Sequence, residues 1–200
     1  MTKNLTLSKV FPYLIAILAA IGLIASLILS YDTLSIAHNS HYVPSCNLNP
    51  VISCGSVINA KGDTIFGLPY PYYGIAAFGA LLSAAVMVMA GGRPNKYFWR
   101  LFLSISGIGV VGAYALLLKS VYSIHALCPF CLSVDVVTTT TFWYSLLYCI
   151  DNKYLALKSK KLTRVYAWCR KHHLDLLLAW FLLVAAVLLH HFWYYYGKHL

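Results

Sequence analysis

Charged side chains are scarce in this sequence of 200 residues. Only 10% of the residues are charged, the acidic ones are five aspartates with no glutamate, and 60% of the residues are apolar. A soluble domain of this length needs a far more charged surface. The composition therefore excludes a soluble globular protein and favours one with most of its surface in lipid.

Two cofactor motifs are also missing. No glycine-rich G-x-G-x-x-G fingerprint follows a predicted strand, so the sequence contains no recognisable nicotinamide dinucleotide site. Covalent haem attachment needs a histidine directly after a C-x-x-C pair, and the residue after Cys131 is Leu132. Neither cofactor is therefore a candidate.

The apolar residues fall into five long blocks. Each is near or above the roughly 18–20 residues that a helix needs to cross about 30 Å of hydrocarbon. The blocks are residues 10–31, 66–92, 101–118, 128–150 and 176–197. The first is too long for a secretory signal and lacks an A-x-A exit, so we interpret it as a retained anchor. The sequence thus predicts an all-α integral membrane protein with five transmembrane helices.

The fifteen basic residues are distributed unevenly around these blocks. Twelve precede the first block or lie between the second and third or the fourth and fifth, whereas only Lys61, Lys119 and Lys198 lie on the other side. This is the positive-inside pattern, which predicts a cytoplasmic N-terminus. This orientation explains the net charge of +10, so binding to a nucleic acid is not needed to account for it. The basic stretch 153–171 can also contact anionic lipid headgroups.

Four of the six cysteines are predicted to lie on the face opposite the basic segments. Cys46 and Cys54 lie between the first and second blocks, and Cys128 and Cys131 lie where the fourth block begins. Between the two pairs the chain is predicted to cross the membrane twice. Both pairs are therefore expected on the same, oxidising side. The other two cysteines fall on the cytoplasmic side, where thiols stay reduced, and we interpret them as bystanders.

The Cys128-Pro129-Phe130-Cys131 motif opens the fourth block. At a helix start, unpaired N–H groups and the positive end of the dipole stabilise a thiolate, and Pro129 suits the first helical position. A thiolate is the species that exchanges with disulfides, so we favour a redox role. A short structural disulfide and a zinc site shared with the other pair are the alternatives.

Cys46 and Cys54 enclose seven residues of a segment rich in proline and glycine. Such a pair alone is more often a structural staple. Beside a C-x-x-C motif on the same membrane face, a second exchange pair is the better interpretation. A pair carried on a loop can swing between an outside partner and the motif at the membrane.

A dithiol that is oxidised at membrane depth needs a lipid-soluble acceptor for two electrons. A quinone meets this requirement and suits a pocket lined by aromatic side chains. The aromatic residues predicted at this depth, which can equally form an interfacial belt, are Phe66, Tyr70, Tyr72, Tyr73 and Phe130.

Two polar residues near the C-x-x-C motif have a functional and a plain interpretation. Asp135 shares a helix face with Cys131 inside the membrane block, which makes it a candidate site residue or an anion at the headgroup boundary. His125, one turn before Cys128, is a candidate for stabilising thiolate or relaying protons, or an exposed surface histidine.

Three segments together resemble the vitamin K epoxide reductase (VKOR) family, specifically its bacterial homologues. They are Cys46-Asn-Leu-Asn-Pro-Val-Ile-Ser-Cys54-Gly-Ser-Val, Phe66-Gly-Leu-Pro-x-Pro-x-x-Gly74 and Cys128-Pro-Phe-Cys131. The similarity covers roughly residues 10–150. The order of the pairs is distinctive, because in the unrelated DsbB-type oxidants the C-x-x-C motif comes first.

The resemblance implies a domain plan. Residues 1–150 would form a four-helix redox domain around a quinone, with residues 32–71 as its external cysteine loop. Residues 151–173 would form a basic cytoplasmic loop, and 174–200 a fifth transmembrane helix with a short tail.

The resemblance also implies roles for the cysteines. Cys46 would meet the partner thiol, Cys54 would attack Cys128, and Cys131 would face the quinone, either ubiquinone or menaquinone. The family's loop serine or threonine has no clear counterpart here. The residues expected to contact the quinone, with Asn59 the weakest, are Cys131, Phe66, Asn59, Asp135 and Phe130.

The implied function is a membrane thiol-disulfide oxidoreductase that reoxidises a thioredoxin-fold (DsbA-like) protein. No thioredoxin-like domain follows the fifth helix, so we expect a separate periplasmic partner and a place in the bacterial inner membrane. One alternative is a vitamin K epoxide or quinone reductase. Another is a transport or scaffold protein with stapled loops, which is disfavoured because the blocks lack a second buried charge or paired broken helices.

Overall fold

The computed structural model describes residues 4–39, 41–60, 64–65, 67–155 and 159–193. Helices account for nearly all of the regular structure, and a two-stranded hairpin precedes the second long helix. The elements are α1 (Asn4–His38), α2 (Cys54–Ile58), β1 (Thr64–Ile65), β2 (Leu68–Pro69), α3 (Tyr70–Met89), α4 (Lys96–Lys119), α5 (Pro129–Asp151), α6 (Lys160–Lys171) and α7 (His173–His191). A π-helical turn, Ser120–Ile124, extends α4.

Five helices are long and apolar enough to cross a membrane: α1, α3, α4 with its π-helical turn, α5 and α7. The predicted all-α membrane fold is therefore confirmed. Helix α1 continues to His38, beyond residue 31 where its apolar block ends. The continuation was not predicted because Asp32 interrupts the hydropathy, but this side chain is buried by protein contacts and the helix does not end there.

Helix α1 packs against α3 and α5, and α4 packs against α5. Two glycines lie where these helices approach closely. A Cβ atom on Gly22 would overlap the ring of Phe78, and one on Gly74 would overlap the hydroxyl of Ser26. Small residues at such crossings let membrane helices come together, and so shape the four-helix bundle.

One end of the bundle, which we call the aromatic end, is closed by packed rings. Phe11 at the start of α1 is 1% exposed and stacks on Tyr148 near the end of α5, with ring centroids 4.2 Å apart. Trp99 at the start of α4 meets both rings, at 5.7 and 4.7 Å. Cys149 is fully buried in the same cluster. This end is therefore closed by well-packed side chains.

The opposite end, which we call the cysteine end, contains the other ends of the same four helices. Leu29 of α1 packs there with Cys46, Cys54 and Cys128 in a small buried cluster. The external loop joins α1 to α3 at this end, and the segment between α4 and α5 enters it. The fold thus brings both cysteine pairs to one end of the bundle.

The segment predicted as a basic loop, residues 151–173, contains the amphipathic helix α6. Asp151 at the end of α5 accepts hydrogen bonds from Arg170 and Tyr166, both at 2.5 Å. Burial and the bond to Asp151 raise the pKa of Tyr166. The high charge of this segment suggested a loop, but its few apolar residues recur at helical spacing.

Helix α7 lies beside α4, outside the four-helix core. Its Trp180 indole donates a hydrogen bond to the Tyr114 hydroxyl at 2.5 Å. Phe192, which follows α7, packs against Leu117 and Val121. No residue of α7 is fully buried, so its remaining faces are exposed to the surroundings of the bundle.

Candidate active site

A backbone bridge joins the cysteine loop to the segment before the C-x-x-C motif. The Leu127 N–H donates to the Val51 carbonyl at 2.7 Å, and the Ser53 N–H donates to the Leu127 carbonyl at 3.0 Å. Ser53 and Leu127 directly precede Cys54 and Cys128. The bridge therefore sets these two cysteines side by side.

Two asparagines hold the loop in a compact form. The side-chain oxygen of Asn47 accepts hydrogen bonds from the Gly55 N–H at 2.9 Å and the Ser53 hydroxyl at 3.2 Å. That of Asn49 accepts from the Ile52 N–H at 2.6 Å. In the structure the loop is closed on itself, because these side chains replace the hydrogen bonds that a regular element would provide. The predicted swing of the loop between a partner and the C-x-x-C motif stays a prediction.

The two cysteine pairs differ in redox state. Cys46 and Cys54 form a disulfide with their sulfurs 2.01 Å apart, and they are 7% and 0% exposed. Neither Cys128 nor Cys131 forms a disulfide. The Cys128 sulfur lies 3.3 Å from that of Cys54. A thiol in contact with a disulfide is the geometry in which thiol-disulfide exchange takes place.

Cys128 lies where α5 begins and caps it. The Cys131 N–H points at the Cys128 sulfur at 3.4 Å. A hydrogen bond from the Cys131 side chain lowers the pKa of the Cys128 thiol, burial opposes this, and the N–H groups of Cys131 and Phe130 lower the pKa further. Cys128 therefore forms a thiolate more readily than an ordinary thiol, the direction expected at a helix start.

The alternatives left open for the cysteines can be compared with this geometry. The loop pair is joined by its disulfide, and the C-x-x-C pair is not. Within the part of the chain that the structure describes, no three histidine, cysteine, aspartate or glutamate side chains come together as metal ligands. The four sulfurs are thus arranged for contact between two pairs.

A cavity of about 120 Å³ opens beside the C-x-x-C pair, between α1, α3, α4 and α5. Its wall contains Cys128, Cys131 and Asp135 from α5 and its cap, and is otherwise mostly apolar. Ser26 of α1 and Tyr70 of α3 also line it. The cavity thus joins the sulfur cluster to the interior of the helix bundle.

Of the five residues expected to contact the quinone, some line the cavity and others do not. Cys131 and Asp135 line the cavity. Phe130 packs against the cysteine cluster instead, because the start of α5 turns it towards the sulfurs. Asn59 caps the end of α2, is exposed and does not line the cavity. Phe66 lies outside the described residues.

Ser26 and Gly74 line the cavity and were not identified from the sequence as site residues. Ser26 is 2% exposed. The feature of the sequence that could have identified it is that it is a small polar residue within an apolar block. Gly74 leaves room for the Ser26 hydroxyl. Its role depends on a contact between α1 and α3 that no local pattern encodes.

The wall suits the ring of a quinone. An engineered apolar cavity of roughly 150 Å³ accepts benzene, and this cavity is of similar size. Asp135 is 8% exposed, and no described residue forms a hydrogen bond with it. A largely apolar pocket with a few polar atoms is the usual form of a site for an aromatic ligand.

A profile of the Vitamin K epoxide reductase family matches residues 13–146. The matched range includes both cysteine pairs and the four helices around the cavity, and it ends before α6 and α7. No curated protein gives a significant match to the chain.

Proposed function

This chain belongs to the vitamin K epoxide reductase family, and we propose that it oxidises protein dithiols and delivers their electrons to a membrane quinone. Family membership makes it a membrane oxidoreductase that works through cysteines. The observation that carries the finer proposal is the 3.3 Å contact between the Cys54 and Cys128 sulfurs, beside a cavity lined by Cys131.

The proposed exchange starts from two disulfides, one in each pair. A partner thiolate attacks Cys46, and the bond to Cys54 breaks. The Cys54 thiolate attacks Cys128, so the bond to Cys131 breaks at the cavity wall. The second partner thiol then releases Cys46, which closes on Cys54 and frees Cys128. One disulfide has formed in the partner, and two electrons and two protons have reached Cys128 and Cys131.

The end of this sequence has a closed loop pair and a reduced C-x-x-C pair. These are the redox states of the two pairs in the structure. A bound quinone supplies the acceptor for two electrons and two protons. Cys131 lies in the cavity wall, where its sulfur can meet the ring, and Asp135 and Ser26 supply polar atoms there.

We further propose that the cysteine end faces the periplasm of a bacterial cell and that a thioredoxin-fold protein is the electron donor. The orientation is supported by the basic residues of the α3–α4 connection and of α6, which lie towards the aromatic end. Such residues stay on the cytoplasmic side. The chemistry supports this donor class, because the relay needs a partner with two adjacent thiols.

The direct test is an assay with purified protein in lipid nanodiscs containing ubiquinone or menaquinone. A reduced thioredoxin-fold protein is added, and quinone reduction is followed by absorbance. We expect reduction by the wild type and by Cys169→Ala, the matched control, and none by Cys131→Ala. Absence of quinone reduction in the wild type, or full activity of Cys131→Ala, refutes the proposal. Reduction of vitamin K epoxide alone would instead indicate an epoxide reductase.

A further inference from the structure

A buried carboxyl group lies against the outer sulfur of the loop disulfide. Asp32 is on the part of α1 that continues beyond the apolar block, and it is only 2% exposed. One of its oxygens, Oδ2, lies 4.0 Å from the Cys46 sulfur. One turn earlier, Leu29 packs against the cysteine cluster. The end of α1 thus presents this carboxyl group directly to the disulfide.

The other oxygen of Asp32 is held by Tyr42. The Tyr42 hydroxyl donates a hydrogen bond to Oδ1 at 2.9 Å. This bond raises the pKa of Tyr42, as expected for a phenol that donates to a carboxylate. The second oxygen is therefore the one left to interact with Cys46.

The interaction at Oδ2 depends on the redox state of Cys46. In the disulfide, the Cys46 sulfur carries no hydrogen and cannot donate. No other described residue donates a hydrogen bond to Oδ2. A buried carboxylate oxygen without a donor is unfavourable, because it has lost its hydrogen bonds to water. Once the loop pair is reduced, the Cys46 thiol supplies the missing donor. The sulfurs also move apart on reduction, and since Cys54 is fully buried, we expect Cys46 to make most of this movement.

We propose that Asp32 accepts a hydrogen bond from the Cys46 thiol only in the reduced loop pair and so favours reduction of the Cys46–Cys54 disulfide. In this reaction the disulfide bond of the loop breaks, a disulfide bond forms in the donor dithiol, and one proton goes to each loop sulfur. The role of this step in electron transfer rests on the proposed function, but the hydrogen bond itself does not.

The same carboxyl group gives the two loop sulfurs different chemistry. Cys54 faces Cys128, whereas Cys46 faces Asp32. A nearby carboxylate disfavours negative charge on Cys46, and the sulfur that bears charge more easily is the better leaving group. An incoming thiolate is therefore expected to bond to Cys46 and to release Cys54, next to its acceptor.

The test is the redox equilibrium of the loop pair in the full-length protein. Wild type and variants are equilibrated in dithiothreitol buffers of graded potential, the thiols are alkylated, and the loop peptides are quantified by mass spectrometry. We expect Asp32→Asn to shift the equilibrium towards the disulfide by about tenfold, which corresponds to about 30 mV. Asp32→Glu should restore most of this shift, and the exposed control Asp175→Asn should cause none.

An equilibrium for Asp32→Asn within about twofold of the wild type overturns the proposal. The assay contains neither partner nor quinone, so its result is separate from that of the quinone assay.

A second measurement needs no change at Asp32 and so holds even where that variant fails to fold. The infrared S–H stretching band of Cys46 is identified as the band lost between reduced wild type and Cys46→Ser. We expect it at a lower frequency than an S–H group without a hydrogen bond. A band at the frequency of a free thiol contradicts the proposal.

Discussion

The aromatic end and the cysteine end are built from the same four helices but are packed in opposite ways. At the aromatic end, Phe11, Trp99 and Tyr148 fill the space between the helices. At the cysteine end the core consists mainly of sulfurs, and a cavity remains beside them. The difference indicates that one end mainly stabilises the bundle, and that this allows the other to keep space and buried polar groups.

The same difference is seen between two buried cysteines, one at each end of the bundle. Cys149 lies in the last turn of α5 at the aromatic end, and its sulfur is 3.6 Å from the Trp99 carbonyl. Cys128 lies where α5 begins, against the Cys54 sulfur. Burial is similar in both cases. Position in the helix and neighbouring sulfurs therefore decide which cysteine can exchange.

The largest effect is expected from substitution of Cys128, compared with the same substitution of Cys149. Cys128→Ser should lower quinone reduction by about a thousandfold or more, because exchange between the pairs stops. Cys149→Ser should keep the rate within about threefold of the wild type. Both are measured with saturating reduced partner. Equal losses in the two variants would remove the distinction between the ends.

A substitution that creates a large cavity at the aromatic end should lower the stability of the protein. Phe11→Ala removes a stacked ring and is expected to destabilise the protein by about 3 kcal/mol. The potential of the loop pair should stay the same, since the change lies at the other end. Thermal unfolding in detergent measures the first quantity and dithiothreitol titration the second. A shift in potential without loss of stability would show that the ends are coupled.

A smaller effect is expected where α3 crosses α1 at the cavity. Gly74→Ala puts a methyl group against the Ser26 hydroxyl and should cost about 1–3 kcal/mol. It should also raise the KM for quinone, because the helices must separate at the wall. Gly79→Ala is the matched control, since its added methyl group meets nothing within 4 Å. The same KM in both variants would place quinone binding elsewhere.

The smallest effect concerns pH. Because the pKa of Cys128 is lowered, its thiolate persists as the pH falls below the ordinary thiol pKa and is lost only at the lowered value. The main cause is the hydrogen bond from Cys131, so Cys131→Ala should move the midpoint upwards. Thiolate ultraviolet absorbance, taken as the difference from Cys128→Ser, measures the midpoint. A midpoint unchanged by Cys131→Ala would assign the lowered pKa to the helix start alone.

Much of the candidate site was predicted from the sequence for a local reason. Cys128 and Cys131 are three residues apart at a predicted helix start, so their proximity follows from the helix itself. Asp135 was identified in the same way, one turn further on. Phe130 and Asn59 show the limit of this reasoning, because the direction of each side chain depends on how the loop and the helix start pack together.

The sequence by itself determined the five membrane helices and the family. Lipid cannot provide hydrogen bonds, and a helix satisfies its own backbone groups, so a helix that crosses the membrane is a long apolar segment that hydropathy reveals. Only the tertiary structure decided that Cys54 contacts Cys128, that Asp32 faces Cys46, and that a cavity opens beside Cys131. These contacts join residues far apart in the chain, through the bridge between Val51 and Leu127 and the crossing of α1 with α3. Such contacts depend on packing between segments, which no local periodicity records.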